Sequence, residues 1–257
     1  MSDSMSLEGR TIVITGAAQG IGLAAATGAI ALGANVVGVD LNADGLAQAA
    51  SGLPPERFTA VAGSVTDLAL AERTVDDAVA RFGAVHGLVN NAGIIRPALI
   101  HKMTMEQWQA VIDVHLGGSF VWLQAVGRHL LERANAGEPA PGAIVNVSSE
   151  AGRRGSVGQV NYATAKAGLL GMTMSIAREW SQYGIRANTV CFGVVETPMT
   201  EVIRGERFRD KTMAQIPLGR WASAEEVTRT ILFLLSDASS YITGQHIGVS
   251  GGYHMAS

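Results

Sequence analysis

The stretch Thr11-Ile-Val-Ile-Thr15-Gly16-Ala-Ala-Gln-Gly20-Ile-Gly22 decides the fold of this chain. A β-branched run leads into a glycine-rich turn, and the turn opens an alanine-rich helix predicted at residues 21–32. The three glycines allow a tight turn, a close approach of a pyrophosphate to the backbone, and close packing of helix and strand. Free N–H groups at the helix N-terminus also favour phosphate. The stretch therefore predicts a dinucleotide site.

Apolar runs recur along the chain in the order expected for alternating strands and helices. Strands are predicted at 11–15, 35–39, 58–62, 87–90, 143–148, 186–191 and 246–249, with helices at 21–32, 67–82, 105–133, 161–183 and 224–235. Each strand–helix–strand unit needs a right-handed crossover. The pattern predicts an α/β fold, a doubly wound, seven-stranded parallel sheet flanked by helices in a single domain over residues 1–257.

Two segments fall outside this alternation. Residues 1–6 are expected to form a flexible tail. Residues 192–220 mix two prolines with several Met and Arg residues, which predicts a mobile loop or short helices. A segment that follows the carboxyl end of a strand is a natural substrate lid, so 192–220 is the predicted substrate-loop region.

Composition narrows the class of protein. Hydrophobic residues make up 47% of the chain and the net charge is −3, which suits a large core and gives no sign of nucleic-acid binding. No signal peptide or bilayer-spanning apolar run is expected, so a soluble, cytoplasmic protein is the simplest interpretation. The histidines lack a shared metal-ligand spacing, and no metal is assigned. The single cysteine, Cys191, is interpreted as a buried strand residue.

Asp40 ends the second predicted strand. Its carboxylate can accept hydrogen bonds from the adenosine ribose hydroxyls, and it would repel a 2′-phosphate. Neither the glycine turn nor the Leu41-Asn-Ala stretch contains an Arg or Lys to offset that repulsion. The sequence therefore favours NAD over NADP, with a helix cap or a solvated turn residue as the alternative role for Asp40.

Tyr162 and Lys166 are four residues apart, so they share one face of a helix, and Ser149 lies upstream. A lysine beside a phenol favours the phenolate, since an opposite charge stabilises the ionised form. A base with a pKa nearer the working pH is a better catalyst for an alcohol. The pair therefore predicts proton transfer, although the same spacing is common in helices without a catalytic role.

Five motifs together resemble the short-chain dehydrogenase/reductase family: Thr15-Gly-x-x-x-Gly-x-Gly22, Asn90-Asn-Ala-Gly93, Ser149, Tyr162-x-x-x-Lys166 and Val195-Glu-Thr197-Pro-Met. The resemblance covers residues 7–252 and is strongest to the branch of 3-oxoacyl-carrier-protein reductases and secondary-alcohol dehydrogenases. It implies a Rossmann-type fold, hydride transfer with a nicotinamide cofactor, for which Asp40 favours NAD, and a homotetramer.

The resemblance also implies roles for individual residues. Tyr162 would be the general acid/base, Lys166 would lower its pKa and bind the nicotinamide ribose, and Ser149 would hydrogen-bond the substrate oxygen. Asn90 and Gly93 would lie along the cofactor. The residues expected to bind the cofactor are Gly16, Gln19, Gly20, Ile21, Gly22, Asp40, Leu41, Ser64, Val65, Asn91, Ala92, Gly93, Tyr162, Lys166, Val195 and Thr197.

Three positions depart from the family pattern. His115 stands where an asparagine usually helps a water link the lysine to solvent, so it is a candidate fourth catalytic residue; the alternative is local packing. Ser64 replaces an aspartate that usually touches adenine. Phe192 replaces a proline and is a candidate wall of the nicotinamide or substrate site.

The leading functional hypothesis is an NAD-dependent dehydrogenase or reductase that interconverts a small or medium secondary alcohol and a ketone. The second is a 3-oxoacyl thioester reductase, against which stand Asp40 and the neutral Tyr183. The third is a nucleotide-binding regulator that has lost catalysis, and the intact Ser149, Tyr162 and Lys166 disfavour it.

Overall fold

Seven short strands form one parallel sheet in a computed structural model that describes residues 4–255, and the strands inside the sheet are buried whereas the edge strands are only partly so. The strands are β1 Thr11–Thr15, β2 Asn35–Asp40, β3 Phe58–Ala62, β4 Gly87–Asn90, β5 Ala143–Ser149, β6 Arg186–Phe192 and β7 His246–Val249. Their order in the sheet is β3-β2-β1-β4-β5-β6-β7. The predicted doubly wound, Rossmann-type fold is confirmed.

Ten α-helices of the described chain connect and cover the strands. They are α1 Gly20–Ala31, α2 Ala43–Ser51, α3 Leu68–Phe82, α4 Met105–Ile112, α5 Gly118–Asn135, α6 Ala151–Arg154, α7 Val160–Trp180, α8 Glu201–Arg204, α9 Glu206–Met213 and α10 Ala224–Leu235. Successive side chains of a strand point to opposite faces of the sheet. In β1, Ile12 and Ile14 therefore join the core that includes Ile231 of α10, whereas Val13 joins the core that includes Trp122 of α5.

The sheet order reverses beside β1, which pairs with β2 on one side and with β4 on the other. The chain segments that follow β1 and β4 therefore run towards opposite sides of the sheet. A crevice is left between the carboxyl ends of these two strands. Ligands of open α/β sheets bind at such a switch point. The fold places the ends of β1, β2, β4 and β5 around one cleft.

The helix predicted at 105–133 is interrupted. Between α4 and α5, Asp113–Gly117 forms a π-helical segment in which the Gly118 N–H bonds to the Asp113 carbonyl. The whole stretch Met105–Asn135 is long and apolar enough to cross a membrane by length and composition, contrary to the sequence expectation. Half of the most apolar 18-residue part of this stretch is buried within the fold, as in a core helix.

Other segments differ from the sequence expectation in detail. Helix α2 was not predicted; it is nine residues long and is capped by Asn42, whose side chain accepts a hydrogen bond from the Gly45 N–H. Residues 198–213 form a 3₁₀ turn, α8 and α9, which are the short helices that the sequence offered as one of two alternatives, whereas Phe192 belongs to β6. Of the expected N-terminal tail, residues 1–3 lie outside the described residues, and the Ser4 carbonyl accepts a hydrogen bond from the Ala238 N–H.

Candidate active site

A cleft of about 380 Å³ opens at the carboxyl edge of the sheet. It brings together most of the predicted site residues: Gly16, Gln19, Gly20, Ile21, Asp40, Leu41, Ser64, Val65, Asn91, Ala92, Gly93, His115, Ser149, Tyr162, Lys166, Val195 and Thr197. Gly22 lies just beneath this surface. The cleft also has lining residues to which the sequence gave no individual role, among them Ile94, Val147, Ser148, Gly193, Pro198, Met199 and Thr200.

The glycine turn forms one wall of the cleft at the N-terminus of α1. Gly16 and Gly20 have φ values of 71° and 56°, in the region that favours glycine. A Cβ atom on Gly22 would clash with the Gly16 carbonyl and lie 2.7 Å from Asn91 Nδ2. The first turn of α1 has neither a side-chain cap nor an acidic residue. Its N–H groups are therefore available to a phosphate, and the turn fits a dinucleotide pyrophosphate.

Asp40 lies at the far end of this wall, where β2 ends. Its Oδ2 accepts a hydrogen bond from the Ala18 N–H at 3.1 Å, and its Oδ1 accepts one from the Asn42 N–H at 3.0 Å. Each oxygen keeps a lone pair for a ligand. Lys166, at the opposite end of the cleft, is its one Lys or Arg lining residue among those described. The Asp40 end of the cleft therefore suits ribose hydroxyls better than an added phosphate.

Ser149, Tyr162 and Lys166 meet at the other end of the cleft. β5 ends at Ser149, whose Oγ accepts a hydrogen bond from the Ala151 N–H at 3.1 Å. α7 presents Tyr162 and Lys166 from its first two turns. Lys166 Nζ lies 5.6 Å from the centroid of the Tyr162 ring and donates a hydrogen bond to the Val147 carbonyl at 2.6 Å. The predicted grouping of the three side chains is present.

Burial controls the protonation of this trio. It raises the pKa of Tyr162, and the hydrogen bond of Tyr162 with Ser149 acts in the opposite direction. Burial also lowers the pKa of Lys166 to about 7, so the lysine charge is only partly present at neutral pH. Lys166 is not among the causes of the Tyr162 shift, and its role in lowering the Tyr162 pKa stays a prediction.

His115 lies in the π-helical segment and is 1% exposed. Its Nε2 lies 2.9 Å from the Ile94 carbonyl oxygen and 3.1 Å from the Ile94 nitrogen. Burial, with a smaller contribution from the Lys166 charge, lowers the His115 pKa to about 3, so the ring is neutral at neutral pH. Among the described residues, no hydrogen bond joins His115 directly to Lys166.

The asparagine expected along the cofactor is Asn91, not Asn90. Asn90 is buried, and its Nδ2 donates to Asn146 Oδ1 at 2.9 Å, within the core. Asn91 instead holds the glycine turn, because its Nδ2 donates to the carbonyls of Thr15 and Gly16 at 3.0 and 3.1 Å. The side chains alternate at the end of β4, so only one of the two can face the turn.

The remaining predicted positions lie at the edges of the cleft. Thr197 contributes its methyl group beside Gly20, where an added Cβ would lie 3.3 Å from Thr197 Cγ2. Ser64 Oγ pairs with Thr66 Oγ1 at 2.8 Å, and Phe192 forms part of the wall, as expected. Cys191 is buried, and burial raises its pKa to about 11, so it is a neutral thiol.

The charged residues that follow Ser149 are held elsewhere. Glu150 is buried and forms an ion pair with Arg153 at 3.5 Å. The Arg154 guanidinium stacks on the Tyr253 ring at 3.9 Å and bonds to the Tyr253 hydroxyl at 2.8 Å. None of these side chains lines the described cleft.

Comparisons with known proteins agree with this geometry. A family model described as enoyl-(acyl carrier protein) reductase matches residues 16–254. The 3-oxoacyl-(acyl-carrier-protein) reductase FabG of Thermotoga maritima is 45% identical, over 96% of this chain and 99% of the relative. The acetoacetyl-CoA reductase of Synechocystis is 39% identical, over 98% and 99%.

Solved structures agree as well. A glucose/ribitol dehydrogenase-type short-chain dehydrogenase/reductase from Brucella melitensis superposes with a TM-score of 0.90 at 35% identity, covering 97% of this chain and 98% of that one. A Beutenbergia cavernae protein described as an NAD(P)-dependent gluconate 5-dehydrogenase, with NADP at low occupancy, gives 0.87 at 33% identity, covering 98% and 99%. The chain belongs to the short-chain dehydrogenase/reductase family and is an oxidoreductase of that type.

Proposed function

We propose that this chain reduces the 3-oxo group of an acyl thioester to a secondary alcohol with NADH. The observation that carries the oxidoreductase chemistry is the meeting of Ser149, Tyr162 and Lys166 in the cleft that begins at the glycine turn. The choice of substrate class is supported by the relatives, which are named as 3-oxoacyl-(acyl-carrier-protein) and acetoacetyl-CoA reductases. This class was the second hypothesis from sequence, and the relatives favour it over a simple alcohol.

The side chains of this chain handle the proton and the substrate oxygen. A nicotinamide cofactor bound in this cleft would provide the hydride for the carbonyl carbon. Ser149 donates a hydrogen bond to the carbonyl oxygen, and Tyr162 delivers its hydroxyl proton to that oxygen as negative charge develops. The raised pKa of Tyr162 keeps the phenol protonated before reduction. Lys166, when charged, stabilises the phenolate that remains, and alcohol oxidation is the reverse sequence.

We propose NAD(H), not NADP(H), as the cofactor. Asp40 supports this choice, because its carboxylate lies where the adenosine ribose would bind and the lining residues nearby offer no cation. The NADP in the Beutenbergia cavernae structure belongs to a protein that is 33% identical, so the choice needs a direct test.

The first experiment compares NADH and NADPH oxidation with acetoacetyl-CoA and with a longer 3-oxoacyl-CoA. We expect turnover with NADH on both thioesters and a fall of at least about 10³-fold in kcat for Tyr162→Phe, which keeps the ring and removes the proton. Tyr183→Phe, at an exposed surface position, makes the same chemical change and serves as the matched control. Full activity in Tyr162→Phe would refute the mechanism, and faster turnover with NADPH would refute the cofactor choice.

A second candidate function is the oxidation of a small secondary alcohol, such as a sugar acid or polyol. Two solved relatives are described as glucose/ribitol-type and gluconate dehydrogenases. Tyr183 also supports it, because this exposed position offers no positive charge to an acidic carrier protein. NAD-linked turnover on polyols together with no turnover on the two thioesters would favour this candidate.

We also propose a cytoplasmic homotetramer. The apolar side chains of Phe120 on α5 and Met174 on α7 are 51% and 46% exposed, which supports contact between these helices and another copy. Light scattering should give a mass near four times the 26.8 kDa of one chain. A monomer at micromolar concentration would refute this proposal.

A further inference from the structure

The His115 ring fills the space between Tyr162 and the main chain at Gly93. Its centroid lies 5.3 Å from that of Tyr162, and the two rings meet edge to face at 85°. Such an arrangement is a preferred geometry of aromatic pairs. On its other side, the ring lies so close to Gly93 that a Cβ atom there would clash with His115 Cε1. One ring thus contacts the tyrosine and the adjacent main chain of the cleft.

The polar atoms of His115 face the Gly93–Ile94 side. Nε2 is within hydrogen-bonding distance of both the nitrogen and the carbonyl oxygen of Ile94, and it serves one or the other according to the tautomer. Nδ1 is buried and has no partner among the described residues. His115 is therefore anchored to the Ile94 main chain through a single atom, while the rest of the ring acts as an apolar wall beside Tyr162.

The local helix geometry places the ring there. In the π-helical segment the Gly118 N–H bonds to the carbonyl of Asp113, five residues earlier, which widens the helix at His115. Such single π-turns are frequent at functional sites. α4 and α5 continue on either side, so the segment is a local widening within an otherwise regular helix.

We propose that His115 is a positioning residue with two separable tasks: its ring orients Tyr162 and excludes water from the side of the tyrosine ring that it covers, and its Nε2 holds the Ile94 main chain beside the cofactor cleft. The proposal rests on the proposed function, in which Tyr162 donates the proton. It differs from a proton relay, since the ring acts here by contact and needs no change of its own protonation. The neutral state of the ring is consistent with this role.

Two substitutions separate the tasks. His115→Phe keeps a ring against Tyr162 and removes Nε2, whereas His115→Gln keeps a polar group near the Nε2 position and removes the ring. Tyr162 ionisation is read from tyrosinate absorbance during a pH titration, after subtraction of the same titration of Tyr162→Phe. The second readout is the KM for NADH, and the third is the pH profile of kcat.

For His115→Gln we expect Tyr162 to ionise at a pH lower by about 1, because water reaches the side of the tyrosine ring that His115 covers, and we expect the pH profile to shift in the same direction. Its KM for NADH should stay within about twofold of wild type. For His115→Phe we expect an unchanged Tyr162 titration and a KM for NADH raised about tenfold, because the Ile94 main chain loses its partner.

The proposal is overturned if neither variant differs from wild type, or if both variants change the same readout. If His115→Gln does not fold, as judged by circular dichroism, His115→Met replaces it as the variant that fills volume without a ring. The tyrosinate titration requires no turnover. A failure of the proposed substrate class would therefore leave this test intact.

Discussion

At the residue scale, the Asp40 carboxylate controls which nucleotide fits the cleft. Both oxygens are held by backbone N–H groups, of Ala18 and Asn42, so the negative charge has a fixed position at the end of β2. Two like charges about 4 Å apart near a protein surface repel by about 4 kcal/mol, which corresponds to several hundredfold in binding. A single side chain can therefore account for discrimination against a 2′-phosphate.

Replacing Asp40 by Asn keeps the shape and removes the charge. We expect the ratio of kcat/KM for NADH to that for NADPH to fall by about 10- to 100-fold, since repulsion is lost and the ribose loses a charged acceptor. Asp44→Asn makes the same change of net charge at an exposed position in the first turn of α2. A ratio that moves equally in both variants would show that Asp40 has no special part in cofactor choice.

At the scale of an element, the glycine turn and α1 act as one unit with β4. Asn91 donates to the carbonyls of Thr15 and Gly16, and Thr15 Oγ1 accepts hydrogen bonds from the N–H groups of Asn91 and Ala92. These four hydrogen bonds, with a fifth from Thr15 Oγ1 to the Val89 carbonyl, join the two strand ends that flank the crevice. The position of the helix N-terminus depends on how closely α1 can approach this cluster.

Gly22→Ala tests whether α1 must lie this close to the end of β1. Alanine in place of glycine favours a helix by about 1 kcal/mol, but the added Cβ would clash with the Gly16 carbonyl, and overpacking costs about 1–3 kcal/mol. We expect the cost of the clash to exceed the gain from alanine in the helix. The free energy of unfolding in urea should therefore fall, and NADH should bind at least about tenfold more weakly. Gly52→Ala is the control, because its Cβ would meet only the Ala49 carbonyl at an ordinary 3.7 Å. Unchanged NADH binding in Gly22→Ala would contradict this view of the turn.

At the scale of the whole molecule, the sequence is most informative where local pattern and chemistry coincide. The glycine turn after β1 and the Tyr162–Lys166 spacing are both contained in short segments, so the fold class and the site could be predicted. Helix α2 was missed because it spans only nine residues and lies within the connection between β2 and β3. The contact of His115 with Tyr162 depends on the π-helical segment and on how α4 and that segment pack against α7, which no local pattern encodes.

Burial of His115 also links the stability of the molecule to pH. Its pKa is about 3 in the fold and near 6.5 in the unfolded chain, so the unfolded chain binds more protons between these values. The stability that arises from the neutral His115 is therefore fully present above pH 6.5, and it is lost progressively as the pH falls towards 3. From pH 7 to pH 5, this single group should lower the free energy of unfolding by about 2 kcal/mol.

His115→Phe isolates that contribution, because phenylalanine does not titrate. The free energy of unfolding in urea is measured for wild type and variant at pH 7 and pH 5. Between these two pH values it should fall by about 2 kcal/mol less in the variant than in wild type. His86 also has a pKa lowered by burial, to about 4, but it is present in both proteins and cancels in the comparison. Equal losses in the two proteins would mean that the histidine becomes protonated without cost, and hence that its ring is not held dry between Tyr162 and Gly93.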